Sequence, residues 1–114
     1  MLTRILRHRT AMTLVALTTA LLASGAVAAF ASPAAVKVAD NYFGVKRLTV
    51  RLGARVTWKW TGVLNHNVTV KYGPARFRSR TQARGSFSQV FTSAGTYSLY
   101  CTIHRFMKMT VVVR

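Results

Sequence analysis

The residues of this chain that are able to bind a metal lie mostly near its carboxyl end. A stretch of nine residues begins at Cys101 and ends at Met109, and it also contains His104 and Met107. A further imidazole, that of His66, lies 35 residues before Cys101. Cys101 is the single cysteine of the 114 residues, so it has no disulfide partner within the chain. A thiol, two imidazoles and a thioether together predict a mononuclear metal site.

These residue types favour copper over zinc. Two histidines, one cysteine and a weak axial methionine form the donor set of trigonal blue copper sites. Soft sulfur donors suit Cu(I), and imidazole is acceptable to both oxidation states of copper. Zinc binds cysteine and histidine but gains nothing from a nearby thioether. We expect a rigid frame around the donors, because an unchanged geometry in both oxidation states reduces the rearrangement that electron transfer requires.

The elements that must position these donors are β-strands. Apolar and polar residues alternate with a period of two in several short runs, and glycine or proline turn signals separate the runs. No window after residue 31 has convincing helical periodicity. This pattern predicts an all-β sandwich or barrel of about seven or eight strands. The runs expected to form strands are Val36–Ala39, Leu48–Leu52, Val56–Trp60, Val68–Tyr72, Ser86–Thr92, Thr96–Cys101 and Met109–Val113.

The amino-terminal segment has the features of an export signal. Three arginines among the first nine residues precede an uncharged apolar run that ends at Ala31. We predict residues 1–31 to be a signal peptide and residues 32–114 to be one exported domain, in the periplasm, at the cell surface or outside the cell. An alternative is an uncleaved membrane anchor, because roughly 20 apolar residues are enough to span a bilayer.

The charge balance limits the chemistry and suggests partners. The chain has 17 Lys and Arg and a single acid, Asp40, and the predicted domain keeps 14 of these cations for a formal net charge of +13. One carboxylate excludes paired-carboxylate catalysis and EF-hand calcium sites. The cluster from Arg76 to Arg84 serves either solubility or docking to acidic partners. We also expect association with an anionic membrane or cell-wall surface. We do not expect specific binding to nucleic acid.

Three motifs in this chain resemble those of the cupredoxins, the blue copper proteins of the plastocyanin, pseudoazurin and amicyanin group. The motifs are His66-Asn67-Val68, the turn Gly95-Thr96-Tyr97, and Cys101-x-x-His104-x-x-Met107, whose short spacing is most like that of amicyanin. The resemblance covers Val36 to Val113. It implies a Greek-key β-sandwich, one copper ion, and a monomer that carries single electrons between redox partner proteins and is not an enzyme.

The resemblance also implies roles for individual residues. Carried over by position, it makes His66, Cys101, His104 and Met107 the copper ligands, and it makes the backbone N–H of Asn67 a donor to the cysteine sulfur. His104 is then the electron port, with its ring edge in a surface patch. Its neighbours Arg105 and Phe106 are the expected docking residues.

Met109 is an alternative axial ligand, because the longer cysteine-to-methionine spacing of plastocyanin and pseudoazurin would select it. The pattern favours Met107, since Met109 shares the inward parity of Val111 and Val113 in the last predicted strand.

Two other functions compete with electron transfer. The same ligands suit a protein that delivers or stores copper. The net charge alone suits a secreted domain that binds polyanions, although this reading leaves the cysteine, histidine and methionine residues unexplained. A copper enzyme needs further histidines, and the predicted domain has only His66 and His104.

Overall fold

The structure is a computed structural model that describes residues 31–114. The predicted signal peptide lies outside the described residues except for Ala31, and its cleavage and the start of the domain stay predictions. No helix in the described part of the chain is long and apolar enough to cross a membrane. The described residues form eight strands: β1 (Ala34–Ala39), β2 (Tyr42–Phe43), β3 (Arg47–Val50), β4 (Arg55–Trp60), β5 (Thr69–Tyr72), β6 (Ser86–Val90), β7 (Gly95–Tyr100) and β8 (Lys108–Val113).

The strands form two four-stranded sheets, which confirms the predicted all-β fold. One sheet has the order β2-β1-β4-β6, and the other has the order β3-β8-β7-β5. The pairs β1/β4 and β3/β8 are parallel, whereas β4/β6, β5/β7 and β7/β8 are antiparallel. The β7/β8 pair runs from Gly95 opposite Val113 to Tyr100 opposite Lys108. The residues 101–107, between these two strands, therefore form a loop at one end of the sandwich.

A single aromatic core joins the two sheets. Trp58 is fully buried, and its ring lies 5.9 to 6.4 Å from the rings of Phe77, Phe87 and Phe91. Phe91 packs edge-on against Tyr97 with centroids 4.9 Å apart. Each large apolar side chain buried in this way contributes about 1.5–3 kcal/mol. This packing provides the stiff frame that the sequence predicted around the donor residues.

Two residues of the predicted strands, Leu52 and Tyr72, lack the inward orientation that the alternation predicts. Leu52 was expected to face the core, but β3 ends at Val50 and Leu52 is 50% exposed, because the chain turns at Gly53 with a φ of 87°. Tyr72 was expected to point inward with Val70. It is 66% exposed, because a register shift between Val70 and Tyr72 interrupts the alternation.

The short strand β2 was not predicted. It pairs with β1 through a tight hairpin that places Val38 opposite Phe43 and Ala39 opposite Tyr42. The hairpin turns at Asp40 and Asn41, and Asn41 has a φ of 70°, a value that asparagine tolerates better than most residues. This hairpin brings Asp40 to the same end of the sandwich as the 101–107 loop.

Candidate metal centre

Three of the predicted ligands converge at this end of the sandwich. The Nδ1 atoms of His66 and His104 lie 3.0 Å apart, and they lie 4.0 Å and 3.9 Å from the Sγ of Cys101. His66 and Cys101 are fully buried, and His104 is partly exposed. The three side chains come from the loop before β5, the end of β7 and the β7–β8 loop. Two separate segments, the one before β5 and the one after β7, thus supply the three donors of one compact triangle.

The triangle fits a first-row transition metal. Its sides leave room for an ion about 2 Å from each donor, which is close to usual metal–imidazole bond lengths in proteins. The Sγ of Cys101 also accepts a hydrogen bond from the backbone N–H of Asn67 at 3.5 Å, as the resemblance implied. No other group of three or more histidine, cysteine or acidic side chains with this arrangement occurs among residues 31–114.

The backbone of His66 is held before β5 begins. His66 lies in an isolated β-bridge with Gln82, in which each backbone N–H donates to the other residue's carbonyl at 3.0 Å. The indole N–H of Trp60 donates to the carbonyl of His66 at 3.3 Å. The backbone of His66 is therefore held through both its N–H and its carbonyl.

Asp40, which the sequence analysis did not predict at the site, contacts a candidate ligand. Its carboxylate Oδ1 lies 3.2 Å from the Nε2 of His66, and its oxygens accept the backbone N–H groups of Val63 and Leu64 at 3.0 to 3.1 Å. The two backbone hydrogen bonds, followed by the contact with His66, hold the pKa of this carboxyl below its usual value. The available signal was that Asp40 is the only acid in the chain.

Gly62 makes room for this carboxylate. A Cβ atom at position 62 would collide with the carboxylate oxygens of Asp40, which approach the Gly62 backbone closely. The loop from Gly62 to Leu64 therefore wraps around Asp40 and presents two N–H groups to it. A side chain at this position would push the carboxylate away from His66.

The side chain of Asn67 joins the two ligand-bearing segments. Its Oδ1 accepts the backbone N–H of Thr102 at 3.2 Å and the hydroxyl of Thr69 at 2.7 Å. Its Nδ2 donates to the hydroxyls of Thr102 and Thr81 at 2.8 and 3.0 Å. Asn67 is fully buried, and all of its amide hydrogen-bonding groups are used. Asn67 directly follows His66, and it therefore links this ligand to Thr102, the residue that follows Cys101.

The two methionines have different surroundings. Met107 lies in the ligand loop, where its N–H donates to the carbonyl of His104 at 2.9 Å and its carbonyl accepts the N–H of Cys101 at 3.0 Å. Its side chain is buried. Met109 belongs to β8 opposite Leu99, and its sulfur accepts the indole N–H of Trp58 at 3.3 Å. The inward orientation predicted for Met109 is confirmed.

An apolar surface surrounds the exposed edge of His104. Ile103 and Phe106 lie in the same loop and are 53% and 97% exposed. A shallow cavity of about 420 Å³ lies on this surface, lined by Asn41 and by the loop residues 102–107. Large exposed apolar side chains grouped in this way are typical of protein contact sites.

A β-sandwich that brings one cysteine and two histidines together at one end belongs to the class of mononuclear blue copper proteins, the cupredoxins. Comparison with known families is consistent with this class. The chain belongs to the plastocyanin/azurin family of copper binding proteins, whose pattern matches residues 33–114.

The relatives found by sequence and by structure include several amicyanins. Amicyanin-alpha of Methylorubrum extorquens is 37% identical over 103 residues, which cover 83% of this chain and 87% of that protein. Amicyanin of Paracoccus denitrificans is 34% identical over 82 residues, which cover 68% of this chain and 63% of the relative. A structure of an amicyanin variant in its reduced Cu(I) form superposes with a TM-score of 0.65 at 32% identity, covering 72% of this chain and 82% of that one.

Family membership confirms several sequence predictions. The cofactor is copper, and the protein is a blue copper electron carrier that exchanges electrons with redox partners and is not an enzyme. The roles of individual side chains stay predictions, although the fold brings His66, Cys101 and His104 together.

Proposed function

We propose that this protein carries single electrons on one copper ion bound by the Nδ1 atoms of His66 and His104 and the Sγ of Cys101. The thioether of Met107 would supply the fourth donor to this ion. The observation that carries this proposal is the donor triangle, with sides of 3.0, 3.9 and 4.0 Å, in which His66 joins the Cys101 and His104 pair from 35 residues upstream. Bound copper supplies the one-electron Cu(II)/Cu(I) couple.

The neighbouring residues prepare the donor atoms for this role. The carboxylate of Asp40 accepts a hydrogen bond from the Nε2–H of His66, and in this tautomer the Nδ1 lone pair is free for the metal. The N–H of Asn67 donates to the Cys101 sulfur and holds it in place beside the two imidazoles. Both contacts are made by groups that are themselves anchored, so the donors keep their positions while the charge of the site changes.

Electron exchange takes place through the partly exposed His104. Its apolar surroundings allow a partner to approach closely and exclude water, which shortens the distance between redox centres. Phe106 projects from this surface and Arg105 follows the ligand directly, so both contact the partner. The partner's own surface is acidic, matching the net positive charge of this chain.

Export through residues 1–31 places the mature domain outside the cytoplasm, where a monomer diffuses between its donor and its acceptor. The high positive charge also favours weak association with anionic membrane or cell-wall surfaces. These steps rest on the amino-terminal composition and the charge balance.

The test is to load the protein with Cu(II) and compare it with Cys101→Ser. We expect intense visible absorption from the copper–thiolate bond, which the serine variant lacks, and a reversible one-electron couple by voltammetry. Thr102→Ser is the matched control, because it alters the next residue and keeps the hydroxyl that Asn67 contacts. A protein that binds Cu(I) tightly but forms no stable Cu(II) state would favour copper delivery or storage and contradict the proposal.

A further inference from the structure

A second concave site lies beside the ligand loop, on the outer face of the sheet that contains β5, β7 and β8. It is a pocket of about 310 Å³ lined by Lys71, Tyr100, Arg105 and Lys108. We call it the Tyr100 pocket. Three of its four lining side chains are cationic, and the fourth is an aromatic ring. Neither the copper site nor the apolar surface around His104 accounts for it.

The sheet register builds this pocket. Tyr100 pairs with Lys108 of β8 on one side and with Thr69 of β5 on the other. Its chain neighbours Leu99 and Cys101 are buried, so the alternation turns the Tyr100 side chain to the other face of the sheet. Tyr100 therefore faces outward between two neighbouring strands, and the side chain of Lys108 lies beside it.

The irregularity in β5 adds the third wall. The register shift between Val70 and Tyr72 leaves Lys71 and Tyr72 both exposed, although a regular strand would turn one of them inward. The Nζ of Lys71 then lies 5.6 Å from the ring centre of Tyr72 and 5.7 Å from that of Tyr100. These two cation–π contacts hold the ammonium group at the pocket instead of leaving it free in solvent.

No acidic side chain of this chain neutralises the pocket. Asp40 is the only aspartate or glutamate, and its carboxylate is occupied by Val63, Leu64 and His66. Three cations gathered at one concavity repel one another, and an external anion relieves this repulsion.

We infer that the Tyr100 pocket binds a surface carboxylate of an acidic redox partner. This inference rests on the proposed electron-carrier function and assigns the docking contact to particular residues. Tyr100 directly precedes the ligand Cys101 in the chain, and Arg105 directly follows the ligand His104, so the pocket adjoins the copper site. Arg105 also lines both the pocket and the apolar cavity at His104, so one partner covers the two surfaces at once.

The shape of the pocket favours a carboxylate on a protein over a membrane surface. A concavity of about 310 Å³ encloses one or a few small anionic groups, and the guanidinium of Arg105 is suited to paired hydrogen bonds with a carboxylate. Attraction to a membrane depends on charge spread over a wide surface. The exposed Arg76, Arg78, Arg80 and Arg84 supply such charge without forming this pocket.

The test compares two variants with the same loss of charge. The pocket variant is Lys71→Gln with Lys108→Gln, and the control is Arg51→Gln with Arg114→Gln. Lys108 begins β8, whereas Arg114 follows its other end and lines a different cavity together with Arg51. All four side chains are exposed, so the glutamine substitutions preserve the fold.

The first measurement is binding of a tetra-aspartate peptide to the copper-loaded, Cu(I) protein by NMR. We expect the peptide to shift the amide signals of Lys71, Tyr100 and Lys108, and we expect the pocket variant to bind it about fivefold more weakly than the control does. Equal weakening in both variants would overturn the inference, because binding would then depend on total charge alone.

The second measurement is the rate of electron transfer to hexacyanoferrate(III), an anionic acceptor, and to tris(phenanthroline)cobalt(III), a cationic one. The pocket variant should react about fivefold more slowly than the control with the anion at low ionic strength, and the difference should disappear at high salt. The cationic reagent should show no such loss. Equal rates for both variants with hexacyanoferrate would overturn the docking assignment while electron transfer itself persisted, whereas a wild-type protein inert to both reagents would contradict the proposed function.

The third measurement distinguishes the source of the anion. Binding to phosphatidylglycerol vesicles should fall equally in the two variants. A loss of vesicle binding confined to the pocket variant, with unchanged binding of tetra-aspartate, would identify a membrane headgroup as the ligand and overturn the inference.

Discussion

The indole N–H of Trp58 donates a hydrogen bond to the sulfur of Met109 at 3.3 Å, in the centre of the sandwich. Both side chains are buried, and Met109 lies in β8 opposite Leu99. This contact commits the Met109 sulfur to the protein core. Met107 is the methionine within the ligand loop, and we therefore expect it to be the axial ligand.

Exchange of the two methionines for leucine should therefore have different effects. Met107→Leu should shift the visible spectrum and raise the reduction potential, because the oxidised site loses a sulfur donor. Met109→Leu should leave the spectrum nearly unchanged and lower the free energy of unfolding by about 1–2 kcal/mol, because the buried Trp58 N–H loses its acceptor. Absorption spectra, voltammetry and urea unfolding measure these effects. A large spectral change in Met109→Leu alone would reverse the axial assignment.

Removing the charge of Asp40 should weaken copper binding. Asp40→Asn keeps oxygen and nitrogen atoms near the Nε2 of His66 but removes the anionic acceptor that orients this ring, so we expect the copper affinity to fall by about 10-fold to 100-fold. Competition with a chelator of known affinity measures the change. Unchanged affinity would show that the bridge to Gln82 alone suffices to hold His66.

Gly62→Ala tests the same contact without altering Asp40. The added methyl group collides with the carboxylate, so this variant should also weaken copper binding. Gly53→Ala is the matched control: a Cβ there meets no atom within 4 Å, and any effect comes from the positive φ of 87°. The control should lose stability and retain its copper affinity.

Asn67→Ala should loosen the ligand loop. The substitution leaves the backbone N–H to Cys101 intact but removes the amide that bonds to Thr69, Thr81 and Thr102. We expect a loss of about 2–3 kcal/mol in the free energy of unfolding, because four hydrogen bonds of a buried amide are lost and the partly buried Thr69 and Thr102 lose a partner. Thermal unfolding of the copper-loaded protein measures it. Thr81→Val, which removes a single partner, should cost less; an equal or larger cost would contradict the network.

Tyr97 should make the protein sensitive to alkali. Burial raises the pKa of its hydroxyl, which donates to the carbonyl of Ser93 at 2.7 Å. Because the folded-state pKa exceeds the unfolded value, the stabilising contribution is complete below about pH 10 and is lost as the pH rises through the folded pKa.

The variant Tyr97→Phe should be about 1 kcal/mol less stable at neutral pH, and its stability should fall less steeply above pH 10. Tyr42→Phe, at an exposed position, should follow the wild-type profile. Urea unfolding between pH 8 and 12 provides the comparison. Parallel pH profiles for wild type and Tyr97→Phe would contradict the assignment.

Much of the fold was predictable because strand periodicity is a local property. The alternation in 55–60 and 108–113 identified β4 and β8 and the correct inward side of Met109. The failures occurred at Leu52 and Tyr72, where a turn and a register shift interrupt the alternation. The strand β2 was missed because two residues are too few for a period to be recognised.

The amino-acid sequence alone was sufficient to establish the kind of donor atoms, the family they resemble and the β-sandwich that holds them, since these depend on residue types and short spacings. The roles of Asp40, Gly62 and the irregularity at Lys71 became visible only in three dimensions. Asp40 lies 26 residues from His66, and the Tyr100 pocket joins residues from two strands and a loop. Contacts between distant segments depend on sheet register and loop course, and neither leaves a periodic signal along the chain.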